Sequence, residues 1–169
     1  MRLELVYLLM LQAVLGASVA HAMSATNWKY EHTFDPFDDT ERHSVSMSFH
    51  YGNDFDALLV MCENGKLTIA QLTQYAFSRQ ALEHGPFISI RYRFPGEDAG
   101  ELGGMMVKPD VIAVGVDGLA FYSRMLEGES VLVEFPVSSG ARNVTLDLSN
   151  FSEVAQPLTN ACLGSGLIN

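Results

Sequence analysis

Positive charge is scarce in this chain: ten Lys and Arg stand against twenty Asp and Glu, a formal net charge of −10 over 169 residues. Nucleic acids and anionic membranes are held by clustered Lys and Arg, so this balance argues against both as partners. Only Arg91 and Arg93 come close to a cluster. Long apolar runs are absent after the N-terminal stretch, which leaves no second segment able to span a bilayer. Tryptophan occurs once, as Trp28, and cysteine twice, as Cys62 and Cys162.

The usual catalytic and phosphate-binding signatures are missing as well. There is no G-x-S-x-G elbow, no S-x-x-K and no H-E-x-x-H. Neither G-x-x-x-x-G-K-[ST] nor G-x-G-x-x-G occurs, so no loop of that kind offers its amides to phosphate. The histidines, His21, His32, His43, His50 and His84, never fall at the sequence spacing of a metal-ligand pair. No catalytic residue, metal ligand or cofactor is expected on these grounds.

What is present begins with the N-terminus. Residues 1–22 carry Arg2, an apolar stretch from Leu5 to about Val19, and Ala20 and Ala22 in an A-x-A arrangement. This is the layout of a secretory signal peptide with cleavage after Ala22. A membrane anchor is the competing reading, but the run is shorter than the roughly 18–20 residues a spanning helix needs, and it contains Gln12. Cleavage would leave residues 23–169 as a single domain outside the cytoplasm, in the periplasm, with no membrane insertion.

In an oxidising compartment two cysteines point to one disulfide, Cys62 to Cys162. Two free thiols or an intermolecular bridge are the alternatives. Cys62 ends the apolar run "LLVMC", which suits a central strand covered on both faces. Asn64-Gly65 follows, and this pair readily takes the positive φ values of a type I′ hairpin turn. Other segments alternate with the period of a half-buried strand. Val45, Met47 and Phe49 share one face, as do Ile88, Ile90, Tyr92 and Phe94, with Arg91 and Arg93 opposite. "VLVEFPV" and "NVTLDL" also read as strands, while "PGEDAGELGG" reads as a Gly-rich acidic loop. Trp28 is expected to anchor the first strand in the core.

"DGLAFYSRMLEGES" allows two readings. Asp117-Gly118 could turn one strand into another, or Asp117 could cap a helix with Leu119, Tyr122, Met125 and Leu126 on its apolar face. The polar grouping of Ser123, Arg124 and Glu127 favours the helix. Near the C-terminus Phe151, Val154, Ala155, Leu158, Ala161 and Cys162 form one helical stripe, opposite Ser152, Glu153, Gln156, Thr159 and Asn160. Ser149 or Asn150 can cap its start and Gly164 its end. Pro157 falls on the polar side, where water can satisfy the carbonyl it leaves unpaired. The expected fold class is α+β: a mainly antiparallel, sandwich-like sheet with one or two helices packed on it.

Two acidic groups could bind cations. Asp35, Asp38, Asp39 and Glu41 lack EF-hand spacing and suit a solvated turn, and Glu97, Asp98 and Glu101 suit a surface loop. Asp38, Asp39, Arg91 and Arg93 are the candidate binding residues; Arg91 and Arg93 could receive a carboxylate or phosphate, or pair with the protein's own acids. Two sequons, at Asn143 and Asn150, overlap regular structure.

In order and spacing, Trp28 before Asp38 and Asp39, the strand ending at Cys62, the Arg91 and Arg93 strand, and the ending Pro157, Leu158, Ala161, Cys162 resemble TagO/VasI-like exported bacterial proteins associated with type VI secretion. The chain departs from that pattern at Arg93-Phe94-Pro95, where an Arg-x-Asp is usual, and has no second tryptophan. The resemblance implies a periplasmic, non-enzymatic accessory or binding protein whose partner belongs to the envelope or the secretion system. The alternatives are a small exported metal-dependent hydrolase or a soluble ligand-binding protein.

Overall fold

Alternating apolar residues make strands that each need one covered face, and here they satisfy one another in a single folded-over sheet. The computed structural model describes residues 23–25, 27–51, 54–73, 87–108, 111–114, 118–137 and 140–164. The signal-peptide segment and Asp117 lie outside them. The strands are β1 (Met23–Ala25), β2 (Lys29–Asp35), β3 (Thr40–Tyr51), β4 (Asp54–Glu63), β5 (Lys66–Thr73), β6 (Phe87–Arg93), β7 (Gly100–Lys108), β8 (Val111–Val114), β9 (Ser130–Val137) and β10 (Gly140–Asp147). Among the described residues two helices join them: α1 (Gly118–Glu127) and α2 (Phe151–Leu163). The strand order is β1-β10-β9-β6-β7-β8-β5-β4-β3-β2, antiparallel throughout except for the β1–β10 pair. This is the α+β architecture expected from the sequence, with its C-terminal helix.

The two halves of the sheet face each other. Phe49 on β3 meets Phe135 on β9 with ring centroids 5.1 Å apart, and the Gln71 side-chain amide on β5 donates to the Pro136 carbonyl on β9 at 3.0 Å. Between them lie Val45, Met47, Val60, Ile90, Val133, Val144 and Leu146, all buried. Each such side chain contributes roughly 1.5–3 kcal/mol through burial. Trp28 closes one corner: its indole N–H donates to the Asp147 carbonyl at 2.7 Å, and its ring meets Phe151 edge-on at 4.5 Å.

The sequence's turn chemistry is realised at Asn64-Gly65, with φ of 52° and 73°, which joins β4 to β5. "LLVMC" departs from expectation. Leu58, Val60 and Cys62 are buried but Leu59 and Met61 are only half-buried, so β4 alternates. "PGEDAGELGG" departs too, because its second half is β7. Gly100 pairs with Tyr92 there, and a Cβ at Gly100 would stand 2.5 Å from the Tyr92 ring, so glycine admits the aromatic rather than a turn.

The ambiguous segment is helical. In α1, Phe121, Tyr122 and Met125 are buried, whereas Leu119, expected on the apolar face, is 46% exposed. Phe121 takes the inward place and packs on Tyr92 and Phe94. In α2 the stripe is rotated slightly from the expected one. Thr159 is buried and Ala161 is exposed. The reason is polar: Tyr122 on α1 and Thr159 share a hydroxyl hydrogen bond of 2.6 Å, and Thr159 also donates to the Ala155 carbonyl. Asn150 caps α2 through its backbone carbonyl, which accepts from Val154, and makes no side-chain cap. Pro157 is exposed, as expected.

Cys62 and Cys162 are joined in a disulfide that closes a separation of 100 residues, with Cα atoms 5.5 Å apart. It ties the last turn of α2 to the end of β4. Both apolar stripe and sulfur therefore hold the helix against the same end of the sheet.

Candidate functional site

The β2–β3 hairpin turns on Asp35 to Thr40, and its register fixes what lies above the turn. Within the turn Asp35 Oδ1 accepts from the Phe37 amide and Asp38 Oδ1 from the Thr40 amide, each at 2.9 Å. Hydrogen bonding to Thr40 holds the Asp38 carboxyl below the usual carboxylate range. Asp39 takes a left-handed φ of 55°. The acidic stretch thus builds a solvated turn from its own carboxylates, and Phe37 at its tip is 97% exposed.

Counting back from this turn, His32 pairs directly with His43, and Glu41 lies two residues before His43 on the same face. The three side chains converge. Glu41 Oε1 is 2.7 Å from His32 Nε2 and 3.8 Å from His43 Nε2, and the two imidazole rings are stacked at 4.7 Å. Tyr30 holds the far side of His43, with its hydroxyl 2.7 Å from Nδ1. Partial burial and the Glu41 charge raise the Tyr30 phenol above its ordinary value, so it stays neutral.

Beside the trio a cavity of about 320 Å³ opens, lined by Asp39, Glu41, His43, Cys62, Asn64, Gly65 and Ala161. Its walls are the acidic turn, the Asn-Gly turn and the end of α2. Asp39 therefore joins a site, while Asp38 stays with Thr40. Histidine spacing along the sequence did not reveal this cluster. The signal was the symmetric count outward from the acidic turn, which places positions 32 and 43 opposite each other.

The arginine strand forms a second surface. Arg91 on β6 lies between Glu101 and Glu134 on its neighbouring strands and pairs with Glu134 at 3.5 Å. Glu101 accepts from Ser89 at 3.0 Å. Arg93 makes no ion pair among the described residues and borders a shallow cavity of about 190 Å³ with Tyr92, Leu132 and Asn143. Glu97 is engaged elsewhere: it pairs with Arg124 of α1, which also holds Glu127 and lies over the Phe94 ring at 5.3 Å.

A third polar group is buried. Asp56 Oδ2 accepts from Arg142 at 3.0 Å, while Asp56 Oδ1, Gln71 Oε1 and Thr73 Oγ1 have no hydrogen-bond partner among the described residues. It occupies the opposite end of the β4–β5 ladder from Cys62.

No family model, no curated protein and no solved structure matches this chain.

Proposed function

We propose that this chain is a periplasmic, non-enzymatic accessory protein that binds a component of the cell envelope and serves a type VI secretion system. The observation that carries the reading, through export, is the Cys62–Cys162 disulfide, because such bonds persist in oxidising compartments and are rare in the cytosol. The N-terminal segment, with its A-x-A ending at Ala22, supports export. Among the described residues no helix is long and apolar enough to cross a membrane.

Binding rather than catalysis is supported by how the acids are engaged. Glu97, Glu101 and Glu134 face Arg124, Ser89 and Arg91, so none of them forms a pair of free carboxylates for acid–base work. Arg93, exposed beside its cavity and in no ion pair among the described residues, can meet a partner's carboxylate. The resemblance to TagO/VasI-like proteins supports the secretion-system assignment.

The test is photo-crosslinking in cells from a probe placed at Asn143, on the rim of the Arg93 cavity. The expected product is a periplasmic adduct with a component of the secretion apparatus, lost when Arg93→Glu is introduced. Recovery of the chain only from the cytoplasm, or turnover of envelope substrates by the purified protein, would overturn the reading.

A further inference from the structure

We propose that His32, Glu41 and His43 form a binding site for one divalent transition-metal ion of the zinc class, built on the β2–β3 hairpin and open to the cavity beside the disulfide. The inference does not depend on the compartment or on the secretion-system partner.

Geometry is the first ground. The three ligand atoms all lie within 4.8 Å of one another. Ligands around a tetrahedral zinc ion, at about 2.0–2.1 Å from the metal, stand about 3.3–3.4 Å apart. The distances from Glu41 Oε1 to the two Nε2 atoms, 2.7 and 3.8 Å, bracket that value. Small rotations of the exposed His32 and Glu41 side chains bring them onto one ion with the more buried His43.

Electrostatics is the second ground. Glu41 Oε1 lies close to the Nε2 atoms of both stacked imidazoles, so two ring nitrogens and one carboxylate oxygen converge on one point. A dication at the convergence point satisfies both ring lone pairs and the carboxylate together. Two imidazoles and one carboxylate suit zinc and its neighbours, whereas calcium and magnesium prefer all-oxygen sites.

The third ground is the support behind the ligands. When the His43 Nδ1–H donates to the Tyr30 hydroxyl oxygen, 2.7 Å away, the lone pair at Nε2 is left for the metal. Tyr30 is thus a positioning residue. The cavity supplies room for a fourth ligand, water or a donor from a bound partner, on the side bounded by Asp39 and Ala161.

The experiment uses the tag-free, disulfide-bonded exported chain, dialysed against chelator and titrated with zinc chloride by calorimetry and thermal shift. One ion per chain and a saturable rise in Tm are expected. His32→Ala and Glu41→Gln, both at exposed positions that leave the fold intact, should each weaken zinc at least about a hundredfold. Tyr30→Phe should weaken it about 10–100-fold, the usual range for a group that orients a ligand. His50→Ala, on the same strand but outside the trio, should match the parent. No retained zinc, equal affinity in His32→Ala, or an equal Tm rise with calcium chloride would each overturn the proposal.

Discussion

His43 and Cys62 stand directly opposite each other on β3 and β4, so the histidine cluster and the disulfide share one row of the sheet. The bridge to Cys162 holds the end of α2 over that row, and Ala161 from the same turn lines the cavity next to His43. A loss of the disulfide should therefore act on stability first and on the cavity second. Replacing Cys62 and Cys162 together by Ala avoids a stray thiol beside His43. The expected cost is about 2–5 kcal/mol in denaturant unfolding, with faster amide exchange in the last turn of α2 and unchanged exchange in β10. An unchanged unfolding midpoint would mean that the bridge adds no stability.

Tyr122 provides a pH-dependent prediction. Burial raises its phenol above the ordinary value of 10.0, against a smaller opposing effect of the Thr159 hydrogen bond. The native state thus keeps a proton that the unfolded chain begins to lose near pH 10. Its contribution is complete below that pH and is lost as pH rises through the folded value. Tyr122→Phe should cost about 1 kcal/mol at neutral pH and flatten the alkaline decline of stability, measured by urea titrations at successive pH values. A decline as steep as the parent's would place the responsible group elsewhere.

Much of the fold is legible in the sequence. Strict alternation at Val45 to Phe49 and at Ile88 to Phe94 marks strands because one face of each must be buried, and Asn64-Gly65 specifies its turn by positive φ. The disulfide partners followed from there being only two cysteines. What escaped depends on tertiary pairing. The sequence places Thr159 on the solvated face because its partner, Tyr122, lies on another helix, and Gly100 in a loop because the Tyr92 ring that needs its space lies on another strand. The His32–His43 pair shows only when the acidic stretch is taken as the centre of a hairpin, which metal-ligand spacing along the chain does not specify.

The buried Asp56–Arg142 pair should respond asymmetrically. Arg142→Ala leaves a carboxylate that is only 1% exposed without its cation, which should cost about 3–5 kcal/mol. Asp56→Asn keeps a hydrogen-bonding side chain in the pocket and leaves an arginine with some access to water, so its cost should be smaller. Equal costs in thermal or urea unfolding would contradict this assignment of the pair.

Gly100→Ala places a methyl group against the Tyr92 ring, which Phe94 and Phe121 hold from other sides. Overpacking of this kind should cost about 1–3 kcal/mol, and Tyr92→Leu in the same chain should recover part of it. Simple additivity of the two substitutions in a double-mutant cycle would show that the contact does not constrain β7.

The most direct measurement is the intact mass of chain recovered from the periplasm of an exporting cell, taken before and after reduction. An exported protein closed by Cys62–Cys162 should begin at Met23, weigh two hydrogens less than its reduced form, and expose no alkylatable thiol until reduced. A chain that retains residues 1–22, or that carries two alkylatable thiols without denaturation, would contradict the account.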